Sequence, residues 1–246
     1  MVITARTNPR IKAVRALHSA KERAQTGLHL IEGDKLVWDA LQSGARVQTV
    51  FATEGARVPD AVEVVWVDAA VMEALSSVQT PQHLCAVVET PDCSCPAAFP
   101  SGLLVVLDCL QDPGNLGTIL RTADALGASG VLLSRDSADP FSPKALRAAM
   151  GSTYHLPLWT DDLDSALPRL IAQGFTCICG HLCGTESLPK PNPKTALVVG
   201  NEGNGVSETT AKLCIPYRMP MRGRAESLNA AIFTALLMKE LLDKMG

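Results

Sequence analysis

An α/β fold is what the sequence predicts, on three observations. Short apolar runs alternate with stretches of helical period along nearly the whole chain, the pattern of linked strands and helices. The run Leu103 to Leu107 is continuously apolar, as in parallel strands covered on both faces. Three polar or Gly-rich turns each stand between a strand and a helix, the place where α/β sheets present ligands. The stretch Thr90 to Gly102 holds Pro91, Pro96 and Pro100 with little periodicity, which suits an extended linker. The expected organisation is a smaller α/β domain over 1–90, a linker over 91–101 and a larger domain over 102–246.

The elements follow in order. Residues 10–24 place Ile11, Val14, Ala16, Leu17 and Ala20 among basic residues, an amphipathic helix. Strands are expected at Leu28–Ile31, Val47–Phe51, Val62–Val67 and Leu84–Val88. Helices are expected at Lys35–Leu41 and, capped by Asp68, through Leu75. In the second part, strands are expected at Leu103–Leu107, Val131–Leu133, Leu156–Trp159, Thr176–Cys179, Ala196–Val199 and Cys214–Ile215. Helices are expected after the first Gly-rich turn, at Pro143–Met150, around Leu163–Ala172 and after the second Gly-rich loop. A final helix carries a stripe of Leu228, Ala231, Ile232, Ala235, Met238 and Leu242.

Composition narrows the function classes. The chain has 246 residues, 47% hydrophobic and 19% charged, which is enough to bury a core and excludes a disordered polyelectrolyte. No apolar run approaches the roughly 18 residues of a membrane span, so no membrane partner is expected. Arg6, Arg10 and Lys12 precede no apolar stretch, so a secretory leader is not expected and the cytoplasm is. A net charge of −3 excludes nucleic-acid binding over the whole surface, yet residues 1–24 hold six basic side chains against Glu22 alone. Such a local arm attracts phosphates even on an acidic protein; it reads equally as a solvated helix face. The eight cysteines are expected to be free thiols. Cys177, Cys179, His181 and Cys183 alternate and would share a strand face, but zinc sites usually space paired cysteines more widely, so no metal is expected.

The first chemistry-bearing turn is Asp112-Pro-Gly-Asn-Leu-Gly117, leading into a helix with Arg121 on its polar side. Arg121 reads locally as a surface arginine and Asn115 as a helix cap. The second is Gly200-Asn-Glu-Gly-Asn-Gly205, whose glycines let backbone approach a ligand closely but match neither the dinucleotide fingerprint nor a phosphate loop. The third, Met219 to Asn229, runs into the last helix, with Ser227 as a possible cap.

Taken in order, NLGTILRTADALGASGV, ALVVGNEGNGVS and MPMRGRAESLNAA resemble the three signatures of the SpoU/TrmH (SPOUT) RNA methyltransferases, across nearly all of 103–246. The segment NPRIKAVRALHSAKERAQTGLHLIEGDKLVWDAL is similar to the family's substrate-binding domain, itself like a small ribosomal protein. The resemblance implies a trefoil-knotted parallel-sheet domain, a homodimer, S-adenosylmethionine as methyl donor and RNA as partner. It implies methyl transfer to a ribose 2′-hydroxyl, with 23S ribosomal RNA favoured; transfer RNA, or a catalytically silent RNA-binding knot protein, is the alternative.

By the same resemblance Gly200, Asn201, Gly205, Met219 and Leu228 hold the cofactor. Arg121 acts on the 2′-hydroxyl, beside Asn115, Glu202, Ser227 and Asn229. Arg10, Lys12, Arg15, Lys21 and Arg23 would meet RNA phosphates. The sequence departs from the pattern at His29, Ala149, Ala230 and Ala231, which touch packing more than chemistry. A nicotinamide-dependent Rossmann enzyme would need a Gly-x-Gly-x-x-Gly turn after the first strand, and Asp-Pro-Gly-Asn-Leu-Gly does not supply it.

Overall fold

The computed structural model describes residues 2–245. The chain sorts into two units, residues 2–92 with 139–154 and residues 93–138 with 155–245.

In the first unit the helix expected at 10–24 is two helices, α1 (Pro9–Ala16) and α2 (Ala20–Thr26). Pro9 begins α1 and the Asn8 side chain accepts the Arg10 N–H, a cap with proline in the first turn. Ile11, Val14 and Leu17 are buried as the stripe predicts, but the helix breaks at 17–19. Arg23 holds the break. Its guanidinium is buried, donates to the carbonyls of Leu17 and His18 at 2.8 and 2.9 Å, and pairs with Asp139 at 2.6 Å. Carbonyls at a helix end lack partners within the helix, and Arg23 supplies donors for them. The expectation that Arg23 meets RNA is therefore corrected: its charge is spent inside the unit.

Next come β1 (Leu28–Glu32), α3 (Asp34–Gln42), β2 (Val47–Ala52), β3 (Glu63–Trp66), α4 (Ala69–Leu75) and β4 (Leu84–Glu89). The sheet order is β1-β4-β2-β3; β4 is antiparallel to both neighbours, and β2 and β3 are parallel. Asp68 caps α4, accepting the Val71 N–H at 2.7 Å, as its position suggests. Ile11, Leu30, Phe51, Val71 and Leu75 form the centre of the core.

The same unit takes in α6 (Pro143–Ala149) and a short 3₁₀ turn, Ser152–Tyr154, so domain limits drawn along the sequence at 90 and 102 do not divide the packing. Two polar side chains of β1 explain the recruitment. Glu32 takes Arg147 as its cation at 3.0 Å, and the buried His29 ring contacts the Tyr154 hydroxyl at 2.7 Å and Thr90 Oγ1 at 3.1 Å. Burial lowers the His29 pKa to about 4; Asp139 opposes the shift and Arg23 adds to it.

The second unit opens with β5 (Gly102–Leu107), α5 (Pro113–Ala125) and β6 (Gly130–Ser134), then continues with β7 (Leu158–Asp161), α7 (Leu163–Ala172), β8 (Thr176–Thr185) and β9 (Lys194–Val199). It closes with α8 (Glu208–Leu213), β10 (Ile215–Tyr217) and α9 (Ala230–Met245). All six strands are parallel, in the order β10-β8-β9-β5-β6-β7. From β5 the chain steps outward to β6 and β7, and from β9 it leaves toward the other edge. The turns after these adjacent strands therefore open at a topological switch point.

Part of the expected linker is packed rather than free. The Cys93 carbonyl accepts the Thr160 N–H at 2.8 Å, and Phe99 is buried edge-on against Trp159. β8 runs further than its apolar core predicts, with Cys177 and Cys179 buried and Cys183 exposed. Among the described residues no three potential ligands are arranged to hold a metal. α9 buries Ala231, Thr234, Leu237, Met238 and Leu241, so the inward stripe is rotated from the expected one and leaves Ile232 and Leu236 outside, 52% and 51% exposed.

Candidate active site

Three loops at the C-terminal side of the second unit's strands carry the residues singled out from the sequence. β5 and β9 end in register, Leu107 opposite Val199, so the turns at 108–112 and 200–205 emerge side by side. Asp112, rather than Asn115, caps α5: its carboxylate accepts the Asn115 N–H at 2.8 Å. That leaves the Asn115 amide free to reach outward. It donates to Glu202 Oε1 at 3.1 Å and accepts the Asn229 amide on its own oxygen at 2.9 Å. One asparagine thus joins all three loops.

Glu202 binds the first turn as a brace. Its two carboxylate oxygens accept the Gln111 and Asp112 N–H groups at 3.1 and 3.0 Å, in addition to the Asn115 amide. Desolvation disfavours its charge, but these donors outweigh it and hold the carboxyl below its ordinary pKa. Asn201 adds a second tie, donating to the Cys109 carbonyl at 2.9 Å, while its own oxygen accepts the Gly203 and Asn204 N–H groups.

Gly200 is required by space. A Cβ there would lie 2.1 Å from the backbone of Gly205 and Val206, because residues 201 and 205 close a tight bridge with two 2.9 Å hydrogen bonds. Gly205 itself takes φ +70°, a conformation that favours glycine. Cys109 also has positive φ, 55°, without being glycine, and its N–H is held by Ser134 Oγ at 2.9 Å. Held strain of this kind gathers at functional sites.

Asn229 begins α9. Its side-chain oxygen accepts the Ala231 and Ile232 N–H groups, so it, and not Ser227, caps that helix. Ser227 is exposed in the third loop, with Met219 and Leu228 half-buried nearby in sequence. Arg121 lies on the exposed face of α5 and, among the described residues, has no carboxylate partner. The joined loops thus hold a strongly hydrogen-bonded carboxylate, and Arg121 stands six residues beyond Asn115 on the helix that leaves them.

Nearly the whole length of the chain has known counterparts. Residues 102–239 match the SpoU rRNA Methylase family, and residues 8–86 match an MRM3-like substrate binding domain. The chain belongs to the SpoU rRNA methylase family. It is 35% identical to the 23S rRNA (guanosine(2553)-2′-O)-methyltransferase RlmP of Bacillus subtilis, over 95% of this chain and 96% of that one. In structure it is similar to an AdoMet-bound rRNA methyltransferase from Sinorhizobium meliloti, with a TM-score of 0.89 and 32% identity over 99% and 97% of the two chains. The AdoMet complex of the SpoU methyltransferase AviRb from Streptomyces viridochromogenes superposes with a TM-score of 0.85 at 26% identity, over 96% and 98%.

Within this SpoU methylase, sequence reasoning missed Asn201's grip on Cys109, the bent Cys109 backbone and the capping roles of Asp112 and Asn229. Only the Asp-Pro pair before the helix pointed to a cap. The basic N-terminal set also divides. Lys12, Arg15 and Lys21 are exposed, whereas Arg10 pairs with Glu63, donates to Thr49 and sits 5.8 Å over the Phe51 ring. Arg10 is therefore partly neutralised where an open phosphate contact was expected.

Proposed function

We propose that the protein transfers a methyl group from S-adenosylmethionine to a ribose 2′-hydroxyl of 23S ribosomal RNA, acting as a cytoplasmic homodimer on a knotted catalytic domain. The observation that carries this reading is the linkage of Glu202, Asn115 and Asn229, which draws three separate loops onto one place at the sheet's switch point. The AdoMet-bound neighbours and the full-length rRNA relative support the cofactor and substrate class.

The residues present fit the cofactor. Gly200 lets the loop fold back on itself where any side chain would collide, and the bridge between residues 201 and 205 fixes that backbone beside the first turn, with no side chain on Gly200 or Gly205 to bar a ligand. Gly200, Asn201, Gly205, Met219 and Leu228 would hold the adenosyl and methionine parts. When bound, the sulfonium supplies an activated methyl group for in-line displacement.

The chain's own residues position the nucleophile. An in-line transfer needs the reacting atoms about 3–3.5 Å apart. Glu202 fixes the first loop, and Asn115 and Asn229 present amide groups for ribose. Arg121, exposed and unpaired, directs its guanidinium charge at the 2′-hydroxyl or the neighbouring phosphate. A guanidinium stays protonated, with a pKa above ~12, so Arg121 orients and polarises while the hydroxyl proton leaves to the phosphate or water. In single-turnover assays Arg121→Ala is expected to slow transfer by about 100-fold or more, and Arg121→Lys to recover little of it, because lysine cannot reproduce a planar two-point contact. A near-normal rate for the alanine variant removes Arg121 from the chemistry.

The dimer reading rests on α9, where Ile232 and Leu236 stand one turn apart and half exposed. Ile232→Glu is expected to shift the species seen by sedimentation from dimer to monomer. Unchanged sedimentation of the variant, or a monomeric parent protein, rejects this face as the interface.

A further inference from the structure

The first unit contains a cavity of about 250 Å³ between the start of α3, the 76–84 loop and α6. Its floor is apolar, made by Leu36, Met72, Leu84, Leu146 and Met150. Its walls are tied together before any ligand arrives. Asp34 N–H donates to Gln82 Oε1 at 2.8 Å, and the Asp34 carboxylate accepts the His83 and Leu84 N–H groups. Glu32 gathers Ser76 Oγ, Ser77 Oγ and the Ser77 N–H, and pairs with Arg147.

Several polar groups on the lining are left over, the Lys35 ammonium and the Thr80 hydroxyl at its exposed rim among them. With Oε1 accepting from Asp34, the Gln82 Nε2 donors have no partner among the described residues, and neither does the Asp39 carboxylate. The charges on the lining, Lys35 and Arg147 against Glu32 and Asp39, cancel. A net-neutral, mostly apolar, pre-formed cavity with free donors on Gln82, Lys35 and Thr80 and a free acceptor on Asp39 suits a flat heterocycle with a hydrogen-bonding edge better than a phosphate alone. Single-stranded RNA is read by this means, through bases unstacked from the strand and inserted edge-first between side chains.

We propose that this cavity receives one unstacked base of the substrate RNA and that Gln82 and Asp39 read its edge. The proposal rests on the RNA methyltransferase reading above and assigns the first unit a specific contact, where the basic helices supply only non-specific attraction.

The test uses the full-length protein with ¹³C-methyl methionine, whose Met72 and Met150 signals report on the cavity. Titration with adenosine, guanosine, cytidine and uridine 5′-monophosphates is expected to shift both signals for at least one nucleotide, and ribose 5-phosphate to leave them in place. Thr80→Trp, an exposed substitution on the rim, is expected to raise the KM for RNA about fivefold or more with kcat within about twofold. It should also abolish the nucleotide shifts. Silent methyl signals with every nucleotide, or equal shifts with ribose 5-phosphate, overturn the proposal; so does an unchanged KM for Thr80→Trp. Methyl transfer measured alongside keeps the failures apart. Transfer with silent methyl signals rejects the cavity alone, and methyl shifts without transfer reject the catalytic reading while upholding the cavity.

Discussion

Each unit contains a carboxylate that ties two loops together, and the two are built differently. Glu32 in the first unit collects one backbone N–H and two hydroxyls from Ser76 and Ser77 and keeps Arg147 as a counter-ion. Glu202 in the second collects two backbone N–H groups and an amide, and among the described residues takes no cation. Burial works against the charge in both cases and the donors prevail, so both carboxyls titrate below their ordinary range. The difference lies in what is left over. Around Glu32 the donors and the cation are satisfied, and the reward is a rigid wall. Around Glu202 the braced asparagine goes on to accept the Asn229 amide, and Arg121 has no carboxylate partner among the described residues. The first brace consumes its charges; the second positions its neighbours, as the proposed catalytic role of Glu202 requires.

The comparison predicts that the two carboxylates fail in opposite assays. Glu202→Ala is expected to lower single-turnover methyl transfer about 100-fold, equivalent to about 2.7 kcal/mol of transition-state stabilisation, with little change in Tm. A large loss of Tm with an unaltered rate would reverse its assignment.

Titration of the first unit sharpens the contrast. The folded pKa of His29 is depressed to about 4 from an ordinary 6.5, so the unfolded chain takes up a proton first as pH falls. The stability that His29 contributes is complete above about pH 6.5 and is lost progressively toward pH 4, by up to about 3 kcal/mol. His29→Phe should flatten the slope of Tm against pH across that window. An equal slope in the variant would show that the ring is not the group responsible.

Glu32→Ala should cost about 2 kcal/mol of stability, since it strands Arg147 and three donors in a half-buried place. The loss should be smaller at low pH: the folded pKa of Glu32 is depressed, so its contribution is present above the unfolded carboxylate value and disappears as pH falls through the folded one. A destabilisation independent of pH would mean that packing, not charge, sets the cost.

The smallest effect concerns the basic helices. Lys12→Glu is expected to weaken RNA binding several-fold at low salt and hardly at all at high salt, while Arg10→Glu should act partly through its lost pairing with Glu63. Salt-independent weakening for Lys12 would show that it makes no phosphate contact.

Much of this was legible in the chain because the signals were local. The run Leu103–Leu107 became a buried central strand since only apolar side chains survive on both faces of a covered sheet. The order of the three loops marked the site, and the close approach at Gly200 follows from a residue that lacks a Cβ. The signals that failed were those with a competing partner out of sequence view. A continuous apolar stripe at 10–24 did not reveal a break, because the break is stabilised by Arg23 reaching Asp139, 116 residues away. Asn115 read as a cap because its 87-residue separation from Glu202 hides the pairing.

By itself, then, the sequence determined the alternation of strands and helices and the three loops that carry polar groups, both consequences of residue period and backbone preference over a few neighbours. Tertiary structure alone decided which polar groups are consumed and which stay available: Arg23 is spent and Arg121 is not, Glu32 is neutralised and Glu202 is not. The reason is physical. A side chain's charge has one meaning in water and another beside a buried counter-ion or a row of N–H donors, and that neighbourhood exists only once the chain has folded.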